Sequence, residues 1–144
     1  MKFLLSVLLI AACSLTATAQ SLAILYPKLS KTLDSLAYVD QWPMQRITQQ
    51  QSDSAGRNLF EVEKLNFAHH QPVLEKIVQQ YGYPGFKQVG KKSSNNFWLL
   101  VQHADAHPEF QRKILKLMQA EVKHKNASPV NYAYLTDRIA MNAG

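Results

Sequence analysis

The chain has 144 residues, 47% of them hydrophobic, which suits one domain with a core large enough to fold unaided. Cys13 is its single cysteine, so the rest of the chain has no disulfide framework, no thiolate zinc site and no cysteine nucleophile. The 16 Lys and Arg against 10 Asp and Glu give a modest positive balance spread along the chain, without the interleaved arginines and aromatics of a nucleic-acid reader. The densest basic stretch, Lys113–Lys125, reads as a solvated helix face with cations near the C-terminal end, where the helix dipole favours them.

Lys2, the apolar run Phe3–Ala12 broken only by Ser6, and the small-x-small Ala17-Thr18-Ala19 follow the plan of a secretory signal peptide. Cleavage is expected after Ala19, leaving residues 20–144 as a single helical domain exported to the periplasm or the medium. The alternative is Ile10-Ala11-Ala12-Cys13, which resembles a lipoprotein cleavage box. It would anchor the chain to a membrane through a lipidated Cys13. The run is too short to serve as a permanent span, which takes about 20 residues.

Beyond the leader the apolar pattern is helical almost throughout. Leu22, Leu25, Leu29, Leu33 and Leu36 form one stripe of three- and four-residue spacings. Asp40-Gln41-Trp42-Pro43 is expected to break that run, with a short second helix starting near Pro43. Gln49–Gly56 reads as a polar surface loop. Asn58–His70 is expected to be a helix directing Leu59, Val62 and Leu65 to the core, and Gln71-Pro72 marks either a kink or a fresh start. Val73, Leu74, Ile77, Val78 and Tyr81 continue to Gly82, a suitable helix C-cap.

Phe86–Lys92, around Gly90, reads as a connection with extended character. Ser93 or Ser94 is the expected N-cap of a helix ending near Asp105. His107-Pro108 opens another helix, with Phe110, Ile114, Leu117, Met118 and Val122 on its apolar face. After a loop at Asn126–Pro129, Tyr132, Leu135 and Ile139 line a final short helix. The fold class is therefore mainly α, a compact bundle of five to seven short helices behind the leader.

Several motifs recur in an order that resembles a known family. They are Gly82-Tyr83-Pro84, Val89-Gly90, Trp98–Asp105 (Trp-Leu-Leu-Val-Gln-His-Ala-Asp), Pro108, Phe110-Gln111 and Tyr134–Arg138, with Asp40-Gln41 and Arg46 upstream. Together they resemble a bacterial domain-of-unknown-function family typified by a Gly-Trp-Pro turn, a Val-Gly pair, a Gln-His-Ala-Asp segment and a late Leu-x-Asp-Arg. Tyr83 stands where that family usually has tryptophan, and His107 where an acidic cap is expected. Members commonly continue past the position of Gly144 into a Gln…Tyr-Gly-Thr-Gln ending. The resemblance implies a site location and no reaction.

For chemistry, His103-Ala104-Asp105-Ala106-His107 first suggests a metal. Pro108 pushes His107 out of helical dihedrals and spoils the shared face, so no metal and no cofactor is expected. No Gly-x-Ser-x-Gly elbow, Ser-x-x-Lys pair or Gly-rich phosphate loop is present. His103 and Asp105 are the candidate catalytic residues. Gln102, Gln111, Arg46, Asp137, Arg138, Asp40 and Asn66 are the candidate ligand-binding set, with Gln41 beside them. Each lies next to an apolar run, where an inward-facing polar side chain needs a partner. Converging, they would supply a histidine acid or base, carboxylates to orient it and arginines suited to anionic oxygen.

The expected function is thus a small-ligand or anion-binding domain with acid–base chemistry at His103. The alternative is a non-catalytic envelope structural or protein-interaction module whose polar residues only fix the packing.

Overall fold

The computed structural model describes residues 23–143, and all regular structure among them is helical. The expected leader and Cys13 lie outside the described residues. Five helices follow one another: α1 (Pro27–Thr48), α2 (Leu59–Tyr81), α3 (Phe86–Gln102), α4 (Pro108–Lys123) and α5 (Pro129–Asn142). The count falls at the low end of the expected five to seven because two expected breaks are absent, and the helices are correspondingly longer. No described helix is long and apolar enough to cross a membrane.

The first missing break is at Asp40–Pro43, which lies inside an unbroken α1. Proline lacks an N–H and so strips the carbonyl four residues back of its helical partner. That carbonyl belongs to Val39, and the side chain of Asn66 on α2 donates to it at 2.8 Å. A borrowed amide thus replaces the missing bond. The consequence is geometric: with α1 continuous, Asp40 and Pro43 fall on the same buried stripe as Leu29, Leu33 and Ala37.

The second is at Gln71-Pro72, where α2 also runs through. The freed carbonyl there is that of Ala68, an exposed residue, so water can satisfy it. Asn58 caps this helix, its Oδ1 accepting from Phe60 N at 3.0 Å. Leu65 departs from the expected core face and is exposed, whereas Leu59 is buried.

Phe86–Lys92 is helical, contrary to the extended connection expected there. Gly90 alone leaves helical geometry, at φ 81 and ψ 161, and kinks α3 without ending it. A side chain at that φ would be strained, and its Cβ would meet Ile24 at 3.1 Å. Ser93 and Ser94 are accordingly buried inside the helix and cap nothing. The start of α3 is capped from a distance instead. Asn126 O accepts from Phe86 N at 2.8 Å and Asn126 Oδ1 from Lys87 N at 2.7 Å. Asn126 sits so close that a Cβ on Gly85 would lie 2.2 Å from its amide, which leaves glycine as the residue that fits.

Packing follows from these faces. α1 lies against α2 and α3, α4 lies against α5, and α3 touches the other four. Phe97, Leu100 and Val101 of α3 meet Leu33, Leu74, Ile114, Met118 and Leu135 in one core. Full burial of side chains of this size contributes roughly 1.5–3 kcal/mol each. Because α3 is central, the two residues at its C-terminal end face different neighbours. That divides the polar residues into two groups.

Candidate functional site

The first group closes on Asp40. Its carboxylate is only 1% exposed. Oδ2 lies 2.7 Å from His103 Nδ1 and accepts from Gln41 Nε2 at 2.8 Å. Oδ1 faces His70 Nδ1 at 3.5 Å. Neither of those two buried atoms has a hydrogen-bond partner, so this contact is electrostatic and not a formed hydrogen bond. Burial is the largest single influence on Asp40 and pushes its pKa up. The contacts with His103 and His70, the attraction of His103 and the Gln41 amide together outweigh it and hold the carboxyl at about 2. At neutral pH Asp40 is therefore an anion and only accepts.

An accepting carboxylate fixes the tautomer of its neighbour. His103 Nδ1 must carry a proton, which leaves Nε2 of the neutral ring as the free basic atom. The ring stacks on Phe67 of α2 with centroids 4.8 Å apart and a tilt of 37°. It is held by α1 on one edge and α2 on one face while its side chain stays 22% exposed. No described residue bonds to Nε2. A histidine oriented by a buried carboxylate with its outer nitrogen open is the arrangement that general acid–base catalysis requires.

The second group closes on Asp105, in the turn between α3 and α4. Arg138 reaches it with both ends of a fork: Nε donates to Oδ1 at 2.8 Å and an outer nitrogen donates to Oδ2. Asn142 Nδ2 and Gln111 Nε2 also donate to Oδ1, at 2.8 and 3.1 Å. Burial again pushes this carboxyl up, and the bonds from Arg138, Gln111 and Asn142 with the Arg138 charge bring it below its ordinary range. Gln111 is wholly buried, and its amide also donates to Val101 O and Gln102 O at the frayed end of α3. Asp105 is thus a tie between the α3–α4 turn and α5, with its oxygens occupied. It does not touch His103; the carboxylate that orients His103 is Asp40.

The remaining candidates divide between these groups or stand apart. Gln102 faces α5. The orientation that satisfies its amide turns Oε1 towards Trp98 Nε1 at 3.1 Å and Leu135 N at 3.2 Å. Asp137 is exposed on α5, at the rim of a groove of about 550 Å³ lined by Trp98, Gln102, Tyr134, Arg138 and Met141. Arg46 joins neither group. It donates to Gln51 Oε1 at 3.1 Å and lies 5.2 Å from the centre of the Trp42 ring, with Arg57 at 5.8 Å from the same ring. Asn66 is spent on the Val39 carbonyl. Arginine therefore does not accompany His103, and the expected convergence of all these residues on one pocket is not what the fold builds.

His70 and Asn142 belong to the two groups and were not among the sequence candidates. His70 had a signal: on an unbroken α2 it shares a stripe with Phe67, Leu74 and Ile77. The break expected at Pro72 conceals that periodicity. Asn142, at the very end of α5, had none. Among the described residues no three His, Cys, Asp or Glu side chains are grouped so as to hold a metal ion.

No curated protein and no solved structure matches the chain. The family model described as "Family of unknown function (DUF6624)" matches residues 27–144, all five helices included. Since that match covers most of its length, the chain belongs to this family of unknown function.

Proposed function

We propose that the chain is an exported small-ligand-binding helical domain in which His103, oriented by Asp40, is the acid–base group. The observation that carries this reading is the 2.7 Å contact between His103 Nδ1 and a carboxylate buried to 1% exposure, with Nε2 left open at the surface. A buried anion is costly unless partnered, and here the partner is an imidazole that donates from Nδ1. The export half of the reading rests on the leader-like residues 1–19. Intact mass of the protein recovered from its host separates a Gln20 start from a lipidated Cys13 or an uncleaved chain.

The acid–base half is tested on the ring itself. In nitrogen-detected NMR, neutral His103 should show its proton on Nδ1, and diethyl pyrocarbonate should modify it at Nε2. A ligand found by thermal shift against a small-molecule collection should slow that modification and lose its effect in His103→Gln. Proton placement on Nε2, or ligand protection undiminished in His103→Gln, removes His103 from the site. A second reading has one specific support: Asp40 joins α1, α2 and α3. On that reading the residues only hold the helices together in a structural or interaction module. His103→Gln would then lower stability and alter no ligand response.

A further inference from the structure

The groove between α3 and α5 is separate from His103, whose contacts are with α1 and α2, and it carries a different chemistry. We propose that this groove binds a small organic cation, a substituted ammonium seated against Trp98 and Tyr134 with Asp137 as its counter-charge.

Three observations select that ligand class. The first is aromatic. The Trp98 and Tyr134 rings lie 6.4 Å apart with 48° between their planes, and both line one groove of about 550 Å³ with Met141. Two aromatic side chains lining one groove offer π surface to what enters it, and a cation without a tight hydration shell is attracted to such surface. The Trp98 N–H donates to Gln102 Oε1 in the orientation that satisfies that amide, which fixes the ring by its edge.

The second is exposure. Tyr134 is 61% and Met141 81% exposed, so the apolar lip of the groove is uncovered by any described element. A metal ion or a strongly hydrated ammonium gains nothing from such a lip. An ammonium whose nitrogen carries methyl or alkyl arms gains from both the lip and the rings.

The third is charge. Arg138 also lines the groove, and alone it would repel a cation. Its guanidinium is committed to both oxygens of Asp105, so that pair is neutral as a unit. Asp137 forms no ion pair among the described residues. The groove therefore keeps one uncompensated negative charge on a chain whose formal net charge is +6. This is the reverse of the anion site that Arg138 suggests in the sequence.

The experiment uses the full chain and three probes: choline, its neutral isostere in which carbon replaces nitrogen, and glucose. The readout is the indole N–H signal of Trp98 in NMR, assigned by its loss in Trp98→Phe. Choline should shift the signal with an affinity in the roughly millimolar range, about five-fold or more better than the isostere, as an exposed cation–aromatic site allows. Asp137→Asn, a substitution at an exposed position, should bring choline and the isostere together, and Tyr134→Ala should weaken choline. An isostere equal to choline, a choline response unchanged in Asp137→Asn, a stronger response to glucose, or no response to any probe would each overturn the proposal.

Discussion

The two carboxylates gathered near the C-terminal end of α3, Asp40 on α1 and Asp105 in the α3–α4 turn, make a controlled contrast. Both sit at junctions between helices, and hydrogen bonds hold both below the ordinary carboxylate range against burial that pushes them up. They differ in what donates. Asp105 is held by a guanidinium and two amides, groups that keep their protons at any pH a protein survives. Asp40 is bonded by one imidazole and one amide, and a second imidazole faces it at 3.5 Å. They differ also in solvent: Asp105 has a side chain 42% exposed, and Asp40 is sealed. A carboxylate with permanent donors at the surface is a fastener. One sealed in the interior, bonded to a ring whose other nitrogen is open, orients the acid–base group proposed above.

The sharpest way to break that contrast is to remove each carboxylate. Asp40→Ala leaves two imidazole nitrogens facing a sealed space. It should cost about 2–3 kcal/mol, the range for losing a hydrogen bond to a charged group and stranding its buried donor, as a fall in the urea midpoint of unfolding. Asp40→Asn keeps an oxygen that can accept from His103 Nδ1–H and should cost clearly less. If the two substitutions are equal, the acceptor role assigned to Asp40 is wrong.

Acid sharpens the same point with a definite sign. The folded-state pKa of Asp40, about 2, lies below its unfolded value of 3.8. A depressed carboxyl contributes stability that is fully present above the unfolded value and is lost as pH falls through the folded one. Between about pH 4 and about pH 2 the wild-type chain should lose on the order of 2 kcal/mol from this group, and Asp40→Asn should be flatter over that window. Asp105 has the same sign and is more exposed, so Asp105→Asn should flatten the curve less. Unfolding curves collected across that acid window decide between the two.

Why one half of each group was legible in the sequence and the other half was not comes down to helix breaks and topology. His103, Gln102, Gln111 and Arg138 could be picked out because each borders an apolar run, a local property. Asp40 is legible as a candidate, but the direction it faces is not. As part of a break it could face anywhere; on an unbroken α1 it is forced into the core with Leu33 and Ala37. The rule that proline ends a helix is sound locally, since the missing bond and clash cost about 3 kcal/mol. It failed because Asn66, 27 residues from Val39, supplies the bond. The partners of His103 and Asp105 are 63 and 33 residues away, on helices whose adjacency no periodicity encodes. The five helices themselves were within reach because Asn58, Gly82 and His107-Pro108 are local stop and start signals that the fold uses, although Ser128 and Pro129, which read as loop, in fact cap and open α5.

Gln111 lies between the two extremes. It is an uncharged group with the burial of Asp40 and a place in the Asp105 network. Gln111→Leu removes one donor shared by three acceptors and should cost about 1–3 kcal/mol, the penalty for leaving buried carbonyls unsatisfied. The readout that matters is local. Amide hydrogen exchange at the end of α3, at Gln102 and His103, should rise more than exchange in α1. A uniform rise would mean that Gln111 is ordinary core and does not staple that helix end.

The smallest effect expected is at Arg138, and it is the fairest test of the fastener. The Arg138 and Asp105 side chains are 38% and 42% exposed, so water and salt screen much of their attraction despite the two-pronged geometry. Arg138→Ala should cost about 1 kcal/mol or less at low ionic strength, and less again in high salt, measured by the same urea midpoints. Arg138→Lys keeps the charge and loses the fork, so it separates the two contributions. Should Arg138→Ala approach Asp40→Ala in cost, exposure would not be what distinguishes the two carboxylates. The Asp105 side would then be as strong a candidate for the working end of the molecule.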